Sequence, residues 1–308
     1  MKVALILYSV REMMAKDPFG TVEEVAKLGY KYIEVCNHNA ANDSGCGFGV
    51  SAEKLKSILD KYGAQVIGTH VFPIDRCDIN AVVEYNKSLG NTNIANPMGH
   101  FSSYDDLMRQ CEEFNRIGKI CYDEGMNYLF HNHYHEYYTF DGKTIMDIIA
   151  ENTDPRYLSF ELDTFWVLRA GLSPVEQIKH FGKRIRLIHQ KDFAWDSLTP
   201  INKIGITAES REMVPGRSVG LSAGGPSPES GTPEFGKYEE ARKIEGTAFT
   251  EIGYGIMDIQ SIIDTANAYT DAEYIILEQD MTRMASEMES IEKSMEGFRK
   301  FSGLDWGN

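Results

Sequence analysis

Several features that this sequence lacks narrow the classes of protein it can encode. Its 308 residues include only five cysteines, an odd number without a C-x-x-C pair, so we expect no disulfide framework. No apolar run approaches the ~18 residues of a membrane-spanning helix, so no membrane association is expected. The N-terminus enters V-A-L-I-L without a basic leader region or a cleavage site, which predicts a cytoplasmic protein.

Positive charge is also scarce. The chain has 31 Lys and Arg against 46 Asp and Glu, a net charge of −15, and nucleic-acid binding needs a basic face. We therefore expect no nucleic-acid partner. No G-x-G-x-x-G follows the first apolar run, which argues against a dinucleotide site. The apolar content of 42% suffices for a full core, and no linker divides the chain, so we predict one domain over residues 1–308.

Short apolar runs alternate with amphipathic segments along the whole chain. Eight such strand–helix units without hairpins predict an α/β fold with parallel strands, closed as a (β/α)₈ TIM barrel. Thr21 is predicted to cap the first helix, with Glu24 in the capping-box position. Ile94 marks a weak fourth strand, and Met281 to Phe301 is predicted as the last helix.

One unit is much longer than the others, because it carries an insertion after strand seven at approximately residues 195–250. Its central part, Pro215 to Gly236, is crowded with Gly, Pro and Ser. A loop of this length in a compact domain is usually functional or disordered. We expect either a lid or partner surface over the C-terminal mouth of the barrel, or a mobile surface excursion.

Polar residues stand where the predicted strands end. Met126 to Phe130 is followed by three alternating histidines and then by Glu136; the histidines are His131, His133 and His135. Other strands end at His70, Asp163, His189 and Glu278. Because the C-terminal ends of barrel strands meet at one face, we expect these side chains to converge. Carboxylates with one imidazole favour Mn²⁺, Mg²⁺ or Co²⁺, and Zn²⁺ and Fe²⁺ are also compatible.

Five motifs in this order resemble those of the xylose-isomerase-like TIM barrel superfamily, in particular its sugar phosphate isomerase/epimerase branch. They are F-H-N-H-Y-H-E-Y, E-L-D-T-F-W-V, L-I-H-Q-K-D, E-I-G-Y-G-I-M-D and I-I-L-E-Q-D. The resemblance spans nearly the whole chain. It implies a divalent metal held at the barrel mouth by Glu, Asp, His and Glu, and Mn²⁺ is the ion we expect, with Mg²⁺, Co²⁺ and Zn²⁺ as alternatives.

Carried over by motif, the implied metal ligands are Glu136, Asp163, His189 and Glu278. Many relatives have the first Glu at the strand end itself, where this chain has His131. Either Glu136 extends back to the metal, or His131 replaces it as the first ligand. We predict Glu136 as the first ligand. Each of the last three residues also has an alternative to binding metal. Asp163 could cap a helix or pair with Arg169, His189 could be a core histidine, and Glu278 could cap a helix.

Proton transfer is assigned to Glu136 and Glu278, with His131, His133 and Lys191 as the other candidates. His70, Glu34 and Trp166 are predicted to contact the substrate; the only basis for this prediction is their position relative to the predicted strands. His133 and His135 could instead orient the metal ligands by hydrogen bonds.

The leading hypothesis is a metal-dependent sugar isomerase, epimerase or lyase that acts on a keto-sugar through an enediolate. The insertion resembles that of C-glycoside deglycosidase catalytic subunits, which implies cleavage of 3-keto-glycosides. The expected partners are a small-molecule sugar or glycoside and either further copies of the chain or a small partner subunit. The alternatives are an endonuclease IV-like nuclease, which the charge disfavours, and a non-catalytic sugar-binding or scaffold subunit.

Overall fold

Eight parallel strands form a closed barrel in the computed structural model, which describes residues 1–214, 216–217, 219–220 and 232–306. Each strand pairs with its neighbours in chain order, and the last pairs with the first. The TIM barrel prediction is confirmed, and so is the short fourth strand. The strands are β1 (Lys2–Ile6), β2 (Tyr32–Asn37), β3 (Gln65–Val71), β4 (Asn93–Asn96), β5 (Asn127–His131), β6 (Ser159–Asp163), β7 (Ile185–Gln190) and β8 (Tyr274–Leu277).

Within the described residues, eight helices cover the outside of the barrel. They are α1 (Pro18–Leu28), α2 (Ala52–Asp60), α3 (Ile79–Leu89), α4 (Tyr104–Asp123), α5 (Ile145–Asn152), α6 (Pro174–Phe181), α7 (Ile259–Tyr269) and α8 (Glu287–Phe298). Shorter helices and turns are Leu7–Val10, Arg11–Met14, Ile74–Arg76, His135–Tyr137, Thr164–Arg169, Gly182–Arg184 and Ala208–Arg211. Two-residue strands are His100–Phe101, Thr139–Phe140, Lys143–Thr144, Asp192–Phe193, Val219–Gly220 and Phe249–Thr250.

Two predicted helix starts were wrong. Helix α1 begins at Pro18, and its N-cap is Asp17, whose side chain accepts a hydrogen bond from the backbone N–H of Gly20. Proline at the first helical position lacks only an N–H that would be unpaired there, so the helix begins about one turn before Thr21. The last helix begins at Glu287 rather than at Met281, with Ser286 as its cap.

The barrel interior changes from apolar to polar along β5, β7 and β8. Leu129, Leu187 and Ile276 belong to the small apolar cluster inside the barrel. Two residues further along the chain from each of them come His131, His189 and Glu278, all buried. Because side chains alternate in direction along a strand, residues two apart face the same side. The polar layer therefore lies directly above the apolar one, at the C-terminal mouth.

The insertion leaves the barrel after β7 and returns to it before α7. Asp192–Phe193 pairs antiparallel with Phe249–Thr250, which closes the base of the insertion. A helix of the insertion, Pro233–Gly246, follows the part that is not described. The predicted lid segment, Pro215 to Gly236, lies largely outside the described residues. Among the described helices, none has the length and apolar character that crossing a membrane would require.

Candidate metal centre

Histidine and carboxylate side chains fill the polar layer at the mouth of the barrel. His189, at the end of β7, contacts Glu34 of β2 through Nε2 at 2.7 Å and Glu278, just after β8, through Nδ1 at 2.7 Å. His70 of β3 contacts Glu161 of β6 at 2.6 Å. These contacts join residues of five strands, so the ends of the strands converge as predicted.

Glu161 connects the histidines of three strands. Its Oε2 lies 2.6 Å from His70 Nε2 and 3.0 Å from His131 Nδ1, and its Oε1 lies 3.4 Å from His189 Nε2. Glu161 is fully buried, and it was not among the predicted site residues. The signal was present, because Glu161 precedes Asp163 by two residues on β6 and so faces the same side.

Lys191 balances the carboxylates on the other side of the layer. Its ammonium lies 2.5 Å from Asp163 Oδ2, 2.6 Å from Glu278 Oε2 and 3.8 Å from Asp280 Oδ1. Burial opposes the charge, but Asp163, Asp280 and Glu278 together raise the pKa of Lys191. The lysine is therefore a fixed cation and not a free base. Asp163 Oδ1 also accepts the N–H of Trp166, so the predicted helix-cap role holds alongside the contact with Lys191.

The layer carries more negative than positive charge. Burial, and next the nearby Glu161, raise the pKa of Glu34 to about 7, and burial raises that of Asp280 to about 7. Although burial disfavours an imidazolium, Glu161 and Glu34 raise the pKa of His189 well above its usual value. Carboxylates therefore draw protons into the site when no other cation neutralises them.

A group of side chains in this layer fits a metal ion. Ligand atoms of His131, Asp163, His189 and Glu278 all lie within 4.8 Å of one another, and each residue is buried. A second group, which shares His131 and His189, is completed by His70 and Glu161. In the described part of the chain, oxygens of Glu34, Glu161 and Asp280 are buried without a hydrogen bond. Mixed imidazole and carboxylate donors in an environment short of positive charge suit a divalent cation.

Glu136 does not lie in this group. Its Oε2 accepts the backbone N–H of His133, and it clusters instead with His133 and His135. The reason is local, because β5 ends at His131 and the chain then turns through the His135–Tyr137 helix. That turn directs Glu136 back toward its own loop. Of the two residues considered for the first ligand, His131 is the one that the fold places beside Asp163.

A cavity of about 310 Å³ opens above the centre. His70, His131 and Glu278 reach it from the barrel, and Trp166 forms part of its wall. Two of the three predicted substrate contacts therefore line the cavity, whereas Glu34 lies fully buried beneath it. The lining residues that were not predicted from the sequence are Tyr8, Arg11, Cys36, His38, Pro97, Met98, Arg242, Glu245, Phe249, Asp280 and Met281.

The insertion contributes to this cavity. Arg242 and Glu245 come from the helix Pro233–Gly246, and Phe249 follows it. Glu245 accepts a hydrogen bond from the buried Arg169 at 2.9 Å, which ties that helix to the helix after β6. This part of the predicted insertion therefore lies over the barrel mouth.

A closed parallel barrel with buried ligand-type residues at its C-terminal mouth is the architecture of a large class of enzymes. A family model described as xylose isomerase-like TIM barrel matches residues 22–301, and the chain belongs to that family. The resemblance to the xylose-isomerase-like TIM barrel superfamily that the motifs indicated is thereby confirmed.

Individual relatives are distant. Inosose dehydratase of Geobacillus kaustophilus is 29% identical over 89 residues, which are 29% of this chain and 28% of that protein. A sugar phosphate isomerase/epimerase from Parabacteroides distasonis superposes with a TM-score of 0.70 at 18% identity, covering 99% of this chain and 95% of that one. A probable 3-DHS dehydratase from Bacillus anthracis gives 0.64 at 14% identity, covering 97% and 99%. At 18% and 14% identity, these two superpositions show only that this chain has the same fold as the two proteins.

Proposed function

We propose that this protein is a divalent-metal-dependent enzyme that isomerises, epimerises or cleaves a keto-sugar through an enediolate. The observation that carries the proposal is the group of His131, Asp163, His189 and Glu278, whose ligand atoms lie within 4.8 Å of one another below a cavity. Membership of the family and the names of the relatives, an isomerase/epimerase and two dehydratases, agree with this chemistry.

These four residues would hold the metal. Mn²⁺ is the ion we expect, with Mg²⁺, Co²⁺ or Zn²⁺ as the alternatives, because the group offers both carboxylate oxygens and imidazole nitrogens. When bound, the cation would supply Lewis-acid polarisation of the substrate carbonyl. Lys191 keeps Asp163 and Glu278 in place by hydrogen bonds to both carboxylates.

The proton carriers must reach the cavity. Asp280 does so, its Oδ1 is buried without a hydrogen bond to any described residue, and burial raises the pKa of Asp280 to about 7. A carboxylate of this kind can remove a proton from the carbon beside a carbonyl, which leaves the electron pair in an enediolate. Glu278, two residues before it, also reaches the cavity. We assign proton transfer to these two residues, ahead of His133 and Glu136.

Three outcomes of one enediolate define the reaction class. Return of the proton to the opposite face of the same carbon gives an epimer, and its delivery to the neighbouring carbon gives an isomer. Expulsion of a group at the β-carbon gives an elimination, which includes cleavage of a C-glycoside bond in a 3-keto-glycoside. The aromatic residues Tyr8, Trp166 and Phe249 at the cavity wall support a substrate that carries a ring.

The experiment compares two matched substitutions on either side of strand β8. Glu278→Gln removes a proposed ligand and proton carrier, whereas Glu273→Gln changes an exposed residue at the opposite end of the barrel. Each protein is assayed with Mn²⁺ on a panel of keto-sugars and 3-keto-glycosides. We expect Glu278→Gln to lose at least about 100-fold in kcat and Glu273→Gln to match wild type. Full activity in Glu278→Gln would refute the mechanism.

Metal analysis tests the same proposal without a substrate. Wild type loaded with Mn²⁺ is expected to retain this ion after desalting, and Asp163→Asn is expected to lose the Mn²⁺ of this centre, since the amide carries no charge. A wild-type protein that binds no Mn²⁺, Co²⁺ or Zn²⁺ would favour the non-catalytic sugar-binding alternative.

A further inference from the structure

The loop after β5 contains a second cluster of ligand-type side chains, separate from the centre described above. Ligand atoms of His133, His135 and Glu136 lie within 4.8 Å of one another. The imidazole rings of His133 and His135 are stacked, with centroids 5.4 Å apart and an angle of 8° between their planes. The three residues are distinct from those that form the first centre.

Two polar atoms of the cluster are buried without a hydrogen bond in the described part of the chain. They are Nδ1 of His133 and Oε1 of Glu136. Glu136 is fully buried, and its other oxygen, Oε2, accepts the backbone N–H of His133. Leaving buried polar atoms unpaired destabilises a fold, because they have lost their hydrogen bonds to water. A ligand that accepts their lone pairs would remove that cost.

His135 completes the set of donors. Its Nε2 lies 3.0 Å from Glu136 Oε1 and 3.3 Å from the carbonyl oxygen of Gly99. A metal ion bound between the imidazoles and the carboxylate would take the place of the proton on His135 Nε2, which donates to the Gly99 carbonyl. Two imidazoles and one carboxylate are the donor set of many zinc sites with an open fourth position.

We propose that His133, His135 and Glu136 form a second metal site, which takes a borderline transition ion such as Zn²⁺ or Co²⁺. Imidazole-rich donors favour these ions over Mn²⁺ and Mg²⁺. His133 lines the cavity above the first centre, so the site adjoins the space that a substrate would occupy. The ring of His133 also lies 5.4 Å from that of Trp166, so the ion would fix one wall of the cavity.

The experiment counts bound ions in metal-free protein titrated with Co²⁺, followed by visible absorption and by elemental analysis after desalting. The variants are His135→Ala, Glu136→Gln and, for the first centre, Asp163→Asn. His180→Ala is the control, because His180 is an exposed histidine that contacts Asp147. Circular dichroism checks that each variant is folded, and Glu136→Gln keeps the shape of the side chain if His135→Ala does not fold.

We expect two Co²⁺ per chain in wild type and in His180→Ala, and one in each of the other three variants. The absorption lost in His135→Ala and Glu136→Gln should differ from that lost in Asp163→Asn. The proposal is overturned if both His135→Ala and Glu136→Gln bind as many ions as wild type. If Asp163→Asn alone binds as many as wild type, the first centre is empty, so the proposed function fails and the second site stands.

Discussion

Lys191 is the residue whose removal tests the electrostatics of the site most directly. It is fully buried and lies within 2.6 Å of carboxylate oxygens of both Asp163 and Glu278. The substitution Lys191→Met keeps most of the side-chain volume and removes the charge. The two carboxylates are then left without their ammonium partner in a site that already has an excess of negative charge.

The expected loss follows from the cost of an unpaired buried charge. Removing one partner of a buried ion pair typically lowers the free energy of unfolding by about 3–5 kcal/mol. With a urea m-value of about 3 kcal/mol/M, that loss lowers the unfolding midpoint by about 1–2 M. The exposed pair between Lys119 and Asp123 on α4 provides the control, since Lys119→Met should leave the midpoint nearly unchanged.

The assay is urea unfolding of metal-free protein, repeated with saturating Mn²⁺. Binding to the folded state alone adds stability, and the added cation also supplies charge that Lys191 no longer provides. We therefore expect Mn²⁺ to raise the midpoint of Lys191→Met more than that of wild type. The reasoning is refuted if Lys191→Met unfolds at the same urea concentration as Lys119→Met in metal-free buffer.

Three further predictions concern other parts of the fold. Gly297→Ala should lower stability by about 1–3 kcal/mol or more, measured by urea unfolding, because the added Cβ would lie 1.7 Å from the backbone oxygen of Ile252. Tyr30→Phe should cost about 1 kcal/mol in the same assay, since the Tyr30 hydroxyl donates to the Ile291 carbonyl at 2.7 Å; no change would contradict this. Burial raises the pKa of Asp192 from 3.8 to about 6, so the folded state holds this proton more tightly than the unfolded state. The contribution of Asp192 to stability should therefore be largest below pH ~4 and fall by about 3 kcal/mol as the pH rises through ~6, relative to Asp192→Asn; a difference independent of pH would contradict it.

Much of the site could be predicted because, in a barrel of parallel strands, residues that follow successive strands lie at the same end of the barrel. Asp163, His189 and Glu278 each follow a short apolar run, and parallel strands bring such residues to one face. Helix starts were harder to predict. At α1 both Asp17 and Thr21 are suitable caps by sequence, and the proline between them decided in favour of Asp17.

Residues whose position at the site depends on contacts between distant segments were not predicted from the sequence. Asp280 lies beyond the end of β8, and only the packed structure shows that its Oδ1 is buried beside Lys191. Arg242 and Glu245 belong to a helix of the insertion whose sequence has little amphipathic pattern. Their position at the cavity depends on how that helix packs against the barrel. Spacing along the chain contains no information about that docking.

The amino-acid sequence by itself determined the barrel, the polar layer at its mouth and three of the four ligands in the proposed metal group. The alternation of side chains within each strand and the order of the strands are both visible along the chain. Parallel pairing of successive strands then brings the residues at their C-terminal ends together. Only the tertiary structure shows that His131, and not Glu136, lies in this group. That choice depends on the direction of the chain after β5, where one helical turn points Glu136 toward His133 and leaves His131 facing Asp163.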